Sequence, residues 1–146
     1  MIVDINEEIM LALKQKLEQR GLRKTAFRIE LLGLFANTRS SLSIEDIKSK
    51  LGKSTDKVTI YRAIDAFEKN ALIHRVPDRS NLARYALCLN DCKAEAHVHN
   101  HAHFICNVCD ETFCIEEVEV PKVDIADGYK VSASKLTLEG ACPSCQ

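Results

Sequence analysis

Residues 43–67 read SIEDIKSKLGKSTDKVTIYRAIDAF, and this stretch decides the architecture of the front half of the chain. Ser43-Ile44-Glu45-Asp46 is a capping box: the serine oxygen accepts a backbone N–H while the acid three residues on reaches back. The helix it opens carries Ile44, Ile47 and Leu51 and closes at Gly52. Ser54 can cap the next helix, whose inner face is Ile60, Ile64 and Phe67. The link Gly52-Lys53-Ser54 is so short that the two helices must meet at a steep angle, which is helix-turn-helix geometry.

The flanking sequence extends this unit. Upstream, Ile5, Ile9, Leu13 and Leu17 repeat at four-residue spacing in an amphipathic helix that Gly21 ends. Thr25 then precedes Phe27, Ile29, Leu31, Leu32, Leu34 and Phe35, apolar on most sides and therefore a buried helix. Downstream, Leu72–Val76 and Ala83–Cys88 are apolar runs around Pro77-Asp78-Arg79-Ser80-Asn81, a hairpin by turn chemistry. Helices followed by a two-stranded ribbon make a winged helix, and the ribbon carries Arg75, Arg79 and Arg84. Residues 89–100 read as a linker; Phe104–Val108, Thr112–Ile115 and Tyr129–Leu138 read as strands of a small α/β domain. The expected fold is thus α+β: a winged helix-turn-helix domain over residues 1–88, the linker, and a metal-binding domain over residues 101–146.

Composition narrows the function. With 146 residues, 46% hydrophobic and 28% charged, the chain is an ordinary globular one and not a disordered or collagen-like one. No apolar run approaches the ~18 residues of a membrane span. The start, MIVDINEEIM, lacks a basic region or cleavage site, so no secretory signal is read. The net charge of −1 conceals a split: residues 1–90 hold 16 Lys/Arg against 11 Asp/Glu, residues 91–146 hold 4 against 10. All seven cysteines lie from Cys88 onward. An odd number of cysteines without an export signal points to thiols in a reducing cytoplasm, where C-x-x-C pairs more often bind metal than form disulfides.

The start of the second helix of the helix-turn-helix displays Thr55, Lys57, Thr59, Tyr61 and Arg62 away from its apolar face. Hydroxyls, a phenol and long cations suit an approach to phosphates and base edges in a major groove. The bland alternative is a solvated helix face. The tight turn, the cationic hairpin and the basic surplus favour double-stranded DNA, with binding that falls steeply with salt.

Cys106-Asn107-Val108-Cys109 and Cys142-Pro143-Ser144-Cys145 are two C-x-x-C knuckles separated by 32 residues. Two such turns complete a tetrahedral four-thiolate zinc site, and no thioredoxin-like βαβ surrounds either pair to support a redox reading. The gap must contain a strand or helix that brings its ends together. A second ligand set comprises His74, Cys88, Cys92, His97, His99, His101, His103 and Cys114. His97, His99, His101 and His103 alternate, so an extended chain puts them on one face. Imidazoles beside thiols favour zinc over magnesium, calcium or iron. His74 and Cys88 come from the wing and its exit, so one ion held with the later histidines would bridge the two halves.

Taken together these residues resemble the ferric uptake regulator family of metal-dependent repressors. Gly21-Leu22-Arg23-Lys24-Thr25 with Arg28 is similar to the family's G-L-[RK]-x-T-x-x-R signature, with Phe27 where proline is usual. Val58-Thr59-Ile60-Tyr61-Arg62 resembles its recognition-helix motif, and His101 to Cys109 resembles its H-x-H-x-x-C-x-x-C core. The resemblance implies a homodimer whose winged helices read a palindromic operator, with Tyr61 at bases or sugars and Arg23, Arg28 and Arg62 on phosphates. Half-sites would lie about one helical turn, or a multiple, apart.

Within that resemblance, Asn100, Ala102 and Ser134 stand where iron sensors carry ligands of a third site. Cys88 matches the wing-exit cysteine of zinc uptake regulators and His74 their hinge ligand. The resemblance therefore implies a sensory zinc site of His74, Cys88, His101 and His103, with Cys114 or His99 as a substitute, and about two zinc ions per subunit. The alternatives are an iron- or peroxide-responsive member, a zinc storage or interaction module, and a zinc hydrolase. No H-E-x-x-H and no nucleophile elbow is present, so neither enzymatic chemistry nor a small-molecule substrate is expected.

Overall fold

A computed structural model describes residues 2–52, 54–88 and 101–146, with side chains from residue 7. Its first helix, α1 (Ile2–Gln19), buries Leu13 and Leu17 of the expected apolar stripe but leaves Ile9, with Met10 and Leu11, exposed. The helix stops because Gly21 takes φ +70°. That left-handed turn lets Leu22 N–H reach Leu17 O at 2.9 Å and Gly21 N–H reach Glu18 O at 3.0 Å, the paired bonds of a Schellman cap. Helix α2 (Ala26–Ala36) begins at Thr25, whose hydroxyl accepts from Arg28 N–H at 3.2 Å, and buries Ile29, Leu31, Leu32 and Phe35.

A two-residue strand, β1 (Leu42–Ser43), leads directly into α3 (Ile44–Leu51). The capping box is formed in both directions, at 3.1 Å from Asp46 N–H to Ser43 Oγ and 3.0 Å from Ser43 N–H to Asp46 Oδ2. Helix α4 (Lys57–Lys69) starts later than the sequence reading places it. Its N-cap is Asp56, which accepts from Thr59 N–H at 2.8 Å, so Ser54 is part of the link and not the cap. The link is therefore 52–56, and Gly52 absorbs the reversal at φ +95°. Ile60, Ile64 and Phe67 are fully buried against Ile47, Leu31, Leu32 and Leu17. Each such side chain removed from water contributes roughly 1.5–3 kcal/mol, which makes this cluster the foundation of the front half.

The wing is β2 (Ile73–Val76) and β3 (Arg84–Leu87), antiparallel, with β1 added on the far side of β3 in the order β1-β3-β2. In its turn, Asp78 accepts from Ser80 N–H at 3.0 Å and Asn81 takes φ +59°, as the turn residues predict.

The second sheet has the order β5-β4-β6, from β4 (His101–Cys106), β5 (Thr112–Glu119) and β6 (Thr137–Gly140). Strand β4 runs antiparallel to β5 and parallel to β6. Two sequence expectations need correction here. The strand read as Phe104–Val108 begins at His101 and stops at Cys106, because the knuckle turns the chain: Asp110 N–H returns to Cys106 O at 3.0 Å with Asp110 at φ +59°. The strand read as Tyr129–Leu138 is reduced to Thr137–Gly140, since residues 121–135 are exposed and carry no regular element. The described part of the back half thus contains strands and a single 3-10 turn (Pro143–Cys145) but no α-helix. Among the described residues no helix is long and apolar enough to cross a membrane.

Candidate metal centre

The parallel pairing of β4 with β6 places Cys106 opposite Gly140 and brings the two C-x-x-C turns together. Asn107 N–H donates to Gly140 O at 2.7 Å across the same junction. One donor atom from each of Cys106, Cys109, Cys142 and Cys145 lies within 4.8 Å of all the others, with Cys109 Sγ and Cys142 Sγ 4.0 Å apart. Ligands around a tetrahedral zinc with bonds of ~2.3 Å sit about 3.8 Å apart, so this group fits the ion with little movement. Cys106 Sγ accepts backbone N–H groups of Cys109 (3.5 Å), Cys142 (3.3 Å) and Val108 (3.4 Å). These donors favour its thiolate and bring its pKa down to about 6. Cys145 moves the other way, to about 12, because its neighbours Cys142, Cys106 and Cys109 compete for negative charge.

A second donor group forms where the two sheets meet. His74 sits on β2 and is 97% buried, with only 3% of its surface exposed. His101 and His103 share one side of β4, and Cys114 lies directly opposite His103 on β5. Their donor atoms lie within 4.8 Å of one another. His74 Nε2 is 3.5 Å from His103 Nε2 and 3.4 Å from Cys114 Sγ. Ring centroids are 5.4 Å apart for His74–His101 and 4.8 Å for His101–His103. Burial, with His101 and Lys135 nearby, lowers the His103 pKa to about 4; burial also lowers His101, partly opposed by Glu116. Both rings are therefore neutral at pH 7 with nitrogens available for a cation. Burial pushes the Cys114 thiol up to about 12, so without a cation it keeps its proton.

Cys88 is placed differently from the other sequence candidates. On the antiparallel wing, His74 opposes Ala86 and Cys88 N–H bonds Leu72 O at 2.8 Å, so His74 and Cys88 project from one face of the sheet. The Cys88 sulfur meets His74 at Nδ1, 3.5 Å away, and is not a member of the four-donor group. His99, Cys92 and His97 lie outside the described residues.

The wing cations also depart from expectation. Arg84, read as part of a DNA-facing ribbon, has only 14% of its side chain exposed. Its Nη1 lies 3.3 Å from Asp46 Oδ2 and 3.6 Å from Glu111 Oε2, and donates to Ser41 O at 3.2 Å. Its Nε faces Asp78 Oδ1 at 3.1 Å outside hydrogen-bond alignment, so that attraction is Coulombic. Burial alone would raise the Asp78 carboxyl, but Ser80 and Arg84 hold it below the ordinary aspartate range. Arg79 Nε donates to Glu139 on β6 at 2.9 Å, and its Nη2 also meets Asn107. Two further bonds join the halves: Ser41 N–H to Thr112 O and Thr112 Oγ1 to Pro77 O, both 2.9 Å. The reason for the departure is that both cations have acidic partners within the chain. Arg79 pairs with Glu139 in the acidic back half, while Arg84 is held by Asp78 and Asp46 of the front half and, farther off, by Glu111, pairings that local sequence patterns do not reveal.

On the outer face of α4, Tyr61 is 53% exposed, and Thr59 and Arg62 are also exposed. Lys57 is exposed but bonded to Glu45 at 2.6 Å, and Thr55 is half-buried. Arg23 is exposed; Arg28, half-buried, donates from Nη1 to Arg23 O at 3.4 Å. Asp56 was not singled out from the sequence; only its position just before the first helical residue marks it.

The sequence pattern described as "Ferric uptake regulator family" matches residues 19–139. A "Ferric uptake regulation protein" from Neisseria meningitidis serogroup A is 30% identical over 139 residues, covering 90% of this chain and 91% of the relative. A "Zinc uptake regulation protein" from Escherichia coli (strain K12) is 25% identical over 146 residues, covering 95% and 82%. Among solved structures, a zinc uptake regulator complexed with zinc and DNA superposes with a TM-score of 0.64 at 22% identity, covering 95% of this chain and 93% of that one.

Proposed function

This chain belongs to the ferric uptake regulator family of metal-responsive transcription regulators, and from that membership we propose that it is a zinc-responsive repressor binding a palindromic operator as a metal-loaded homodimer. The observation that carries the zinc reading is the donor set at the junction: among the described residues it is three imidazoles and a thiol, with no carboxylate among the four atoms. Imidazole and thiolate suit zinc, whereas oxygen-rich sets suit harder cations. Relatives of both kinds, ferric and zinc uptake regulation proteins, are similar to this chain, so the donor set carries the choice between them.

In this reading, residues 1–88 read DNA, residues 89–100 link, and residues 101–146 bind metal and pair the subunits. Cys106, Cys109, Cys142 and Cys145 hold a structural zinc; the junction histidines and one thiolate hold the regulatory one. Bound there, zinc supplies a fixed cross-link between wing and back sheet. His74 contributes from the wing, while His101, His103 and Cys114 contribute from the other side, so all four are satisfied only in one relative placement of the halves. That placement sets the separation of the two α4 helices in a dimer, and operator half-sites about 34–36 Å apart or a multiple would be read. Tyr61 would approach bases or sugars, with Thr55, Thr59, Arg23, Arg28 and Arg62 supporting contacts along the backbone. Lys57 can join them only by leaving Glu45. A ~100-fold preference of zinc for the closed form corresponds to about 2.7 kcal/mol of coupling, inside the usual 1–3 range, and operator must tighten zinc by the same factor.

The test is titration of zinc and of ferrous iron into protein whose four-cysteine centre is loaded, with retention of operator DNA as the readout. Zinc is expected to drive retention at lower free concentration. Stronger retention with iron would establish the iron-responsive alternative, and equal retention with the junction empty and full would end the regulatory reading.

A further inference from the structure

We propose that Arg84 is a positioning residue for operator reading: it carries the placement of the back half into the helix-turn-helix, at the cap of α3. The proposal rests on the regulatory reading of the junction and names what transmits it.

Among the described residues, the junction group takes one donor from the front half, His74, and three from the back sheet. A single bond from ring to ion holds the wing at a fixed distance, yet turning about that bond costs little. A second attachment off that axis stops the turning, and the chain has one farther along the same strands. Thr112 lies two residues before Cys114 on β5, about 7 Å along the strand. It accepts Ser41 N–H at its carbonyl and donates its hydroxyl to Pro77 O, both at 2.9 Å, and it is fully buried. Glu111 beside it faces Arg84 Nη1 at 3.6 Å.

On the front side, the same Nη1 donates to Ser41 O at 3.2 Å and to Asp46 Oδ2 at 3.3 Å. That carboxylate oxygen is the one that accepts Ser43 N–H in the capping box of α3. Strand pairing sets Arg84 directly opposite Ser43, the cap residue itself. Nε faces Asp78 in the wing turn at 3.1 Å. One guanidinium thus joins the entrance of β5, the wing turn and the first turn of α3, and α3 packs on α4. A fixed fork of donors can span these partners, whereas the point charge of a lysine cannot. The Arg79–Glu139 pair also crosses between the halves, but both side chains are about half exposed, where salt screens them. It also ends on the wing turn and not on a helix of the reading unit.

Fluorescence anisotropy tests this in the full chain, with a duplex that the zinc-loaded parent selects from random sequence. Affinity is measured with the junction filled and empty while the four-cysteine centre stays loaded. Filling is expected to tighten the parent's binding about 100-fold. Arg84→Met should cut that gain about 10-fold, within the range for residues that couple two sites. Its zinc affinity without DNA should stay near the parent's, and the tightening of zinc by the duplex should fall by the same factor as the gain. Glu111→Gln, which leaves Arg84 with Asp46 and Asp78, should cut the gain about 3-fold. It also decides the matter if Arg84→Met does not fold. A purely structural arginine would lower affinity equally in the filled and empty states, and a phosphate-contacting one would do so with a smaller salt slope. Either result, or a gain like the parent's in the folded Arg84→Met variant, overturns the proposal. So does loss of junction zinc in Glu111→Gln, which would mean that the contact builds the centre and does not transmit its state. A parent with no gain on filling would overturn the regulatory reading, and this inference with it.

Discussion

The four-cysteine group and the junction group contain the same number of donors within the same 4.8 Å, yet they are built from different parts of the chain. All four cysteines belong to the back half and are brought together by one strand pairing, β4 with β6. The junction draws His74 from the wing and its other donors from β4 and β5. The first group is partly prepared for a cation, since three backbone N–H groups already favour the Cys106 thiolate. The second keeps His101 and His103 neutral and Cys114 protonated until an ion arrives. Filling the first closes a loop within the back half; filling the second selects a relation between two halves. One centre is therefore coupled to folding and the other to geometry at a distance.

The strongest way to break this contrast is Cys142→Ser. A structural zinc contributes about 10–16 kcal/mol in small peptides, against a net domain stability of about 5–15 kcal/mol. The variant is expected to lose β structure by circular dichroism together with bound zinc; a cooperative melt like the parent's would erase the distinction. Arg84→Met is next. It strands the buried Asp78, along with the partly exposed Asp46 and Glu111, and the loss is expected at about 3 kcal/mol, the low end for a buried pair. Urea denaturation should show that loss with both metals still bound, and a change below ~1 kcal/mol would show that the strut between the halves carries little.

His103→Ala should spare the fold, remove one metal equivalent and weaken operator binding about 100-fold, near 2.7 kcal/mol. Fluorescence anisotropy measures it, and unfolding of the variant instead would place the junction on the folding side of the contrast. Arg62→Ala touches neither centre. It should reduce operator affinity roughly uniformly across sequences and lower the salt slope by about 1 while both metals remain. A loss of metal in that variant would mean that helix and junction are not separable.

Local signals made much of this legible in the sequence. The Ser43–Asp46 box, the Ile60/Ile64/Phe67 face, Thr25 before α2 and the two C-x-x-C turns each depend on residues within a few positions of one another, and each is found in the structure. What failed depended on partners far along the chain or on competition between near equivalents. Ser54 and Asp56 are both competent caps two residues apart, and only the geometry of the turn after Gly52 decides between them. Cys114 is legible only as a substitute ligand, because its place in the junction group depends on its register with His103 and so on where the turn after Cys106 ends. Arg79 and Arg84 read as cations of a hairpin that favours DNA, yet Arg79 pairs with Glu139 of the other half and Arg84 with Asp78, Asp46 and the distant Glu111. The short β6 reflects the same limit: alternating apolar residues over 129–138 suit a strand, but among the described residues only 137–140 pairs with a neighbouring strand.

The β4–β6 ladder ends at the knuckles, with Cys106 facing Gly140 and Asn107 bonded to it. A long excursion of chain separates these partners, and closing it is entropically unfavourable whichever interaction does so. Ladder and thiolate clasp incur that loss once between them, so each lowers the barrier to forming the other. Without the clasp, β6 is left as a short edge strand and is the first segment to open, with amide hydrogen exchange rising over 137–140 before it rises in β5. The order in which the sheet assembles, and not only its final stability, is thereby tied to the supply of metal during synthesis.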